Sequence, residues 1–269
     1  MQLIRTQGMF SHWIEWNLKY FGFTPKLKLL SGHKIAGFRN FSEFWGAKSL
    51  IPAASELNLI NSLAGHTGAI IDVGANLGYL SLALAGIRPD CAVHAFEPSP
   101  ETFMRLRHNL VMNRADSICA HQIALSDMEG SVQFLDNALS PTTNRLIKTK
   151  GACALPLINV KATLLDRFLD LHRIDDVAFL KIDVEGYEAE VLLGASNLLR
   201  NRRCKAGLIE LCPANLEQAG SSVGRLLRVT HELGYRLHYL TETGILGAQV
   251  SEQNASTVVL DNVALLPNM

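Results

Sequence analysis

No stretch of this sequence approaches the ~20 consecutive apolar residues of a membrane-spanning helix, so no integral membrane segment is expected. An excess of one charge is equally lacking: 25 Lys and Arg stand against 25 Asp and Glu, and the basic residues are scattered. A protein that grips DNA or RNA needs a basic face to neutralise phosphates, so nucleic acid drops out as a partner. Cys91, Cys119, Cys153, Cys204 and Cys212 form no CxxC pair and are odd in number. That argues against a disulfide framework or a zinc site and leaves reduced core residues as their simplest role. Met1-Gln2-Leu3-Ile4-Arg5 is not followed by the apolar run of a secretion signal, so a cytoplasmic, reducing location is expected. Internal repeats and low-complexity tracts are also missing.

What is present falls into two parts. The 269 residues suffice for one large domain with an appended piece. Residues 1–50 are rich in aromatics: Phe10, Trp13, Trp16, Tyr20, Phe21, Phe23, Phe38, Phe41, Phe44 and Trp45 are 10 of the chain's 3 Trp, 5 Tyr and 11 Phe. Phe10, Trp13, Ile14, Leu18 and Phe21 recur at three- and four-residue spacing, which predicts an amphipathic helix. That helix packs on the main domain, forms a lid or substrate wall, or makes a dimer or membrane-surface contact.

Residues 51–269 form the main domain, where helical and strand patterns alternate. Helices are expected over 55–64, 77–86, 100–113, 163–171, 188–199 and 223–233. Strands are expected over 69–73, 91–96, 118–125, 158–160, 177–183, 206–211, 235–241 and 263–266, with a hairpin-like piece at 132–135 and a polar loop over 137–149. Repeated strand-helix-strand units imply a doubly wound α/β sheet, mostly parallel, with right-handed crossovers.

Ile70 to Ser81 reads as strand, tight turn and helix, the form of a nucleotide-cofactor cradle. Gly74 and Gly78 allow the sharp turn, and the amides at the helix start are expected to face a ligand. In open α/β sheets ligands bind at the carboxyl ends of the strands, and here those ends carry Asp72, Glu97, Asp127, Asp183 with Glu185, and Glu210. Glu97 follows Gly74 at the distance from which a carboxylate takes both ribose hydroxyls. A dinucleotide fingerprint needs a glycine where this chain has Asn76, whose amide suits an amino-acid carboxylate better than a pyrophosphate. The cofactor with a ribose, an adenine and an amino-acid tail is S-adenosylmethionine.

Asp72-Val73-Gly74-Ala75-Asn76-Leu77-Gly78, Phe96-Glu97-Pro98, Ala124-Leu125-Ser126-Asp127, Lys181-Ile182-Asp183-Val184-Glu185-Gly186-Tyr187-Glu188 and Ile209-Glu210-Leu211 occur in that order. Over roughly residues 68 to 267 the chain thereby resembles the FkbM family of S-adenosylmethionine-dependent methyltransferases. The resemblance implies the class I methyltransferase sheet, Rossmann-like, with seven strands of which the last is antiparallel. It also implies O-methylation of a hydroxyl on a small molecule, sugar, glycan or polyketide-type natural product. By the same resemblance Gly74, Asn76 and Gly78, flanked by Asp72, Ala75 and Tyr79, hold the methionine moiety. Glu97 with Pro98 takes the ribose, Ser126 and Asp127 lie by the adenine, and Asp183 is near the methionine amine or the acceptor.

Lys181, Asp183 and Glu185 alternate, so a strand persisting through Glu185 would project all three to one face. Asp183, Glu185 and Glu210 are the candidate bases for the hydroxyl proton, with Lys181 keeping carboxylates charged. The same trio could hold a divalent cation, a weaker reading because no histidine joins them. His94 is expected to face the core, and His231 and His238 the solvent. The alternatives are a catalytically silent, methyltransferase-like binding protein and an NAD(P)-dependent oxidoreductase; a homodimer is an open assembly.

Overall fold

A computed structural model of the chain describes residues 25–65, 67–136, 145–147, 157–241, 243 and 245–268. The amphipathic helix expected over Phe10–Phe21, most of the polar loop over 137–149, and Cys153 lie outside them. The chain enters with β1 (Leu27–Lys28), β2 (Lys34–Ile35), α1 (Phe41–Gly46), a 3-10 turn (Ala47–Leu50) and α2 (Ala54–Leu63). Next come β3 (Ala69–Val73), α3 (Tyr79–Ile87), β4 (Val93–Phe96), α4 (Pro100–Asn113) and β5 (Ile118–His121). Then follow β6 (Ala124–Leu125), β7 (Gly130–Leu135), β8 (Arg145–Ile147), β9 (Leu157–Thr163), α5 (Leu165–His172) and β10 (Val177–Ile182). The last part comprises α6 (Glu188–Gly194), α7 (Ser196–Arg200), β11 (Gly207–Leu211), α8 (Pro213–Gln218) and α9 (Val223–Glu232). It ends with β12 (Tyr235–Leu240), β13 (Leu246–Gln249), α10 (Glu252–Ala255) and β14 (Asp261–Pro267).

β3 and β10 are buried at every position, as strands covered by helices on both faces must be. They pair in parallel at the centre of an eight-stranded sheet of order β13-β12-β14-β11-β10-β3-β4-β5. Strand order reverses between β3 and β10, which makes their carboxyl ends the switch point of the sheet. β14 runs antiparallel to both β11 and β12, matching the expected antiparallel last strand. The seven expected strands gain an eighth, β13, a short and largely exposed edge strand antiparallel to β12. Four residues without alternating burial leave no periodic signal to read.

Two other expectations are corrected. The single strand over 118–125 divides: β5 ends at His121, and Ala124–Leu125 pairs with β9 in a separate sheet of order β6-β9-β7-β8. The single helix over 188–199 breaks at Ala195. Both Asp166 carboxylate oxygens accept backbone amides of Asn197 (2.7 Å) and Leu198 (2.9 Å), so α7 starts anew on its own cap.

Residues from Leu27 onward are built into the main core. Leu27, Ile35, Phe38 and Ala47 share a cluster with Leu77, Leu82, Leu84 and Leu106. The buried Asn109 of α4 accepts the Ala36 amide (2.9 Å) and donates to the Leu77 carbonyl (2.9 Å), tying the N-terminal segment to the turn that precedes α3. Arg105 and Glu43 add an ion pair. His94 packs against His121, Phe168 and His172, as its core-facing expectation required.

Candidate active site at the carboxyl ends of the strands

The turn after β3 is built around a close approach. Gly74 has φ +83°, and a Cβ there would lie 1.8 Å from the Asp183 carbonyl oxygen, because β10 turns away directly alongside. Gly78 (φ +90°) is the N-cap of α3, and a Cβ on it would meet Leu106. The two glycines therefore serve the loop's own packing first. Four amides of the turn itself, ahead of the first helical residue Tyr79, are used within the fold. Gly74 and Ala75 donate to the Phe96 carbonyl (3.0 and 2.9 Å), Asn76 to Glu97 Oε2 (3.1 Å) and Gly78 to the Ala75 carbonyl (2.8 Å). These donors satisfy the fold, so the turn offers a ligand the Asn76 side chain and an open backbone surface instead.

Glu97 closes β4 and is 6% exposed. Its Oε1 accepts the Ser99 amide (2.9 Å) and its Oε2 the Asn76 amide, which leaves one lone pair on each oxygen for a ligand. Burial pushes its carboxyl up to about 7, against those two bonds. Asp72, on β3, is pushed up to about 6 by burial while Ser81 Oγ donates to it at 2.5 Å.

These groups open on a cavity of about 510 Å³. Asp72, Gly74, Ala75, Asn76, Tyr79, Glu97 and Pro98 line it, together with the apolar side chains of Ile123, Leu125, Phe134 and Leu146. Gly78, Ser126 and Asp127 do not reach the lining. Ser126 is buried, its amide on the Thr163 carbonyl (3.0 Å) and its hydroxyl on Asp127 Oδ1 (3.1 Å).

Across the switch point Lys181, Asp183, Glu185 and Glu210 come together. The strand does not persist through Glu185: β10 stops at Ile182, and Glu185 sits in the left-handed region at φ +56°. One oxygen each from Asp183, Glu185 and Glu210 nevertheless lies within 4.8 Å of the others. The loop is held from below by Glu188, whose Oε1 accepts the amides of Gly186 (3.0 Å) and Val184 (3.4 Å). Lys181, 5% exposed, pairs with Asp183 (3.6 Å) and donates to Asn262 Oδ1 (2.7 Å). Asn215 Nδ2 donates to Glu185 Oε2 at 2.5 Å. Burial, with Asp183 and Glu185 beside it, pushes the Glu210 carboxyl up to about 9, so it holds a proton at neutral pH.

Glu56, Asn215 and Asn262 were not singled out by sequence, and each lines the cavity. Glu56 sits in the first turn of α2, where a carboxylate is a common helix-start residue and carries no site signal of its own. Among the described residues of 25–50, Ser49 and Leu50 reach the cavity.

The buried carboxyls set a pH dependence. Glu97, Glu188 and Glu210 are raised to about 7, 7 and 9, so the folded chain keeps protons that the unfolded chain has released. Their contribution is present at low pH and lost as pH rises through those values. His94 and His121 are lowered by burial and oppose this trend below about pH 6.5, their ordinary value. Above about pH 7.5 these histidines are neutral in both states, and among the described residues the raised carboxyls, Glu210 above all, set the slope, so scanning fluorimetry of the ligand-free protein is expected to show Tm falling between pH 7.5 and 8.5. A flat or rising Tm in that window would mean these carboxyls are ionised in the native state.

A family model described as the Methyltransferase FkbM domain matches residues 72–237, from the end of β3 into β12. The chain belongs to the FkbM methyltransferase family. This FkbM-family protein is 26% identical over 181 residues to the hexuronic acid methyltransferase AglP of Haloferax volcanii, covering 66% of this chain and 71% of AglP. It is 24% identical over 158 residues to the 2-O-methyltransferase NoeI of Sinorhizobium fredii, covering 54% and 64%. With the 31-O-demethyl-FK506 methyltransferase FkbM of Streptomyces tacrolimicus it shares 30% over 155 residues, covering 48% and 59%. A solved FkbM methyltransferase from Methylobacillus flagellatus superposes at TM-score 0.45 with 17% identity, over 74% of this chain and 43% of that one. The fold assignment rests on the strand order rather than on that superposition. Among the described residues no helix is long and apolar enough to cross a membrane.

Proposed function

We propose that this FkbM-family methyltransferase uses S-adenosylmethionine to methylate a hydroxyl oxygen. The observation that carries the reading is Glu97: a buried carboxylate, each oxygen anchored by one backbone amide, facing the cavity across the switch point from the Asp183 cluster. The donor set fits the cofactor. Glu97 would take the ribose hydroxyls, the Asn76 amide the methionine carboxylate, and the wall of Ile123, Leu125, Phe134 and Leu146 the adenine, with Ser126 and Asp127 fixing that wall from behind. Pro98 and Tyr79 complete the contact surface. A turn whose amides are used internally suits a carboxylate bound by a side chain better than a pyrophosphate, which speaks against a nicotinamide cofactor.

S-adenosylmethionine supplies a methyl group already activated on a sulfonium. The chain's part is to hold the hydroxyl in line, exclude water and receive a proton. Asp183 suits the proton acceptor: it is partly open to the cavity and paired with Lys181. Protonated Glu210 is a donor that can orient the acceptor, and Glu185 is engaged by Asn215. Relatives named for hexuronic acid, for a 2-O position and for 31-O-demethyl-FK506 support a sugar or natural-product hydroxyl as the acceptor.

Asp183→Asn is expected to lower kcat by about 100-fold or more while leaving the cofactor Kd within about threefold, in the range that loss of a general base brings. The reverse pattern, read by calorimetry and initial rates, would move Asp183 to the cofactor shell. Tight binding of NADH in place of S-adenosylmethionine would overturn the reading, and cofactor binding without turnover would favour a silent binding protein. The 4.8 Å grouping of carboxylate oxygens supports a second reading, a divalent cation that polarises the hydroxyl. Under the Lys181–Asp183 reading EDTA leaves turnover unchanged; loss of turnover that Mg²⁺ restores would assign the trio to a cation.

A further inference from the structure

Lys181 is a buried cation on the central strand β10, and carboxyls surround it and its partner Asp183: Asp72 of β3, Glu56 of α2, Glu210 of β11, Glu188 of α6 and Glu185 of the same loop. Its hydrogen bond decides where the ammonium sits among them. Lys181 Nζ donates to Asn262 Oδ1 at 2.7 Å, whereas its distance to Asp183 Oδ2, 3.6 Å, is that of an ion pair beyond hydrogen-bond length. Asn262 belongs to β14, two strands from β10, where it is paired in register with Glu210, and it lies outside the family match of 72–237. An ammonium only donates, so the amide oxygen must face it, and Asn262 Nδ2 is thereby turned to Glu56 Oε1 at 3.4 Å. Lys181 and Glu56 together fix which way the amide points.

That separation matters for a proton acceptor. An ammonium in direct contact holds a carboxylate in its charged form and weakens it as a base, whereas a distant one leaves burial and the neighbouring acids to protonate it. Resting on the methyl-transfer reading above, we propose that Asn262 is a positioning residue for the proton acceptor, holding the Lys181 ammonium near Asp183 but off it. Asp183 then stays charged before the reaction and able to take the hydroxyl proton during it. Asn262 acts only through Lys181, and a residue outside the shared domain thus tunes a base inside it.

The test follows Asp183 by carboxyl NMR of the ligand-free protein with isotope-labelled aspartate, its resonance assigned as the one lost in Asp183→Asn. In Asn262→Leu the ammonium swings onto Asp183, and the titration midpoint is expected about one pH unit below that of the wild type. In Asn262→Asp the new carboxylate draws the ammonium away, and the midpoint is expected about one unit above it. The rate of label transfer from methyl-labelled S-adenosylmethionine to a metabolite extract, measured against pH, should shift its acidic limb in the same two directions, with the cofactor Kd unchanged as evidence of an intact fold. Loss of rate without movement of the limb, or midpoints equal to the wild type in both variants, overturns the role of Asn262 and leaves methyl transfer standing. Midpoints that move as expected in a protein that binds S-adenosylmethionine by calorimetry yet labels no acceptor overturn the methyl-transfer reading, while the hold of Asn262 on Lys181 stands.

Discussion

Glu97→Ala is expected to raise the Kd for S-adenosylmethionine at least about 30-fold. Each oxygen of Glu97 already accepts one amide, from Ser99 or Asn76, and the proposed ribose hydroxyls take the remaining lone pairs. A buried hydrogen bond whose partner is left unpaired costs about 1–3 kcal/mol, so two cost about 2–6 kcal/mol, and about 1.4 kcal/mol is a tenfold change. The variant also strips an acceptor from the Asn76 amide and loosens the loop that presents its side chain. Glu97→Gln keeps one acceptor oxygen, and its loss is expected near tenfold. Because burial raises the Glu97 carboxyl to about 7, affinity in the wild type should improve as pH rises through that value and the carboxylate forms. Calorimetry at pH 6 and 8 reads all of this, and a Kd indifferent to both substitutions would remove Glu97 from the ribose.

Gly74→Ala is expected to abolish stable folding or to cost more than about 4 kcal/mol in urea unfolding. The new Cβ would sit 1.8 Å from a backbone carbonyl, and the φ of +83° is itself strained for alanine. Relief would need β3 and β10 to part where the Asp183 amide donates to the Val73 carbonyl (3.0 Å), at the centre of the sheet. Gly130→Ala is the control: φ is +120°, but nothing lies within 4 Å, so strain alone applies, about 1–3 kcal/mol. Similar unfolding midpoints for the two variants would show that the approach of the Asp183 loop does not constrain this turn.

Much of the frame was legible in the chain. Apolar runs interrupted only by Asp72 and Lys181, at Ala69–Val73 and Val177–Ile182, read as strands, and they are the two central parallel ones. Pro100 and Glu101 marked the start of α4, and the structure adds the cap, Ser99 Oγ accepting the Thr102 amide (3.2 Å). What failed was short or depended on partners. β13 is four residues without alternation, and the division between β5 and β6 is visible only once Ala124–Leu125 has β9 to pair with. At the site the acidic strand ends were found by position, but their convergence was predicted from a strand that stops at Ile182; a left-handed Glu185 achieves it instead.

The sequence by itself determined the strand-turn-helix around Gly74 and the row of acidic strand ends, because glycine placement, strand-end carboxylates and helix starts are local features that a few adjacent residues specify. Only the tertiary structure decided the use of the turn's amides and which residues outside the family match join the cavity lining. The Gly74 and Ala75 donors are taken by Phe96 across the sheet, and Glu56 meets Asn262 from 206 residues away. No local periodicity encodes such pairings; they exist because the sheet order sets α2 and β14 beside Lys181.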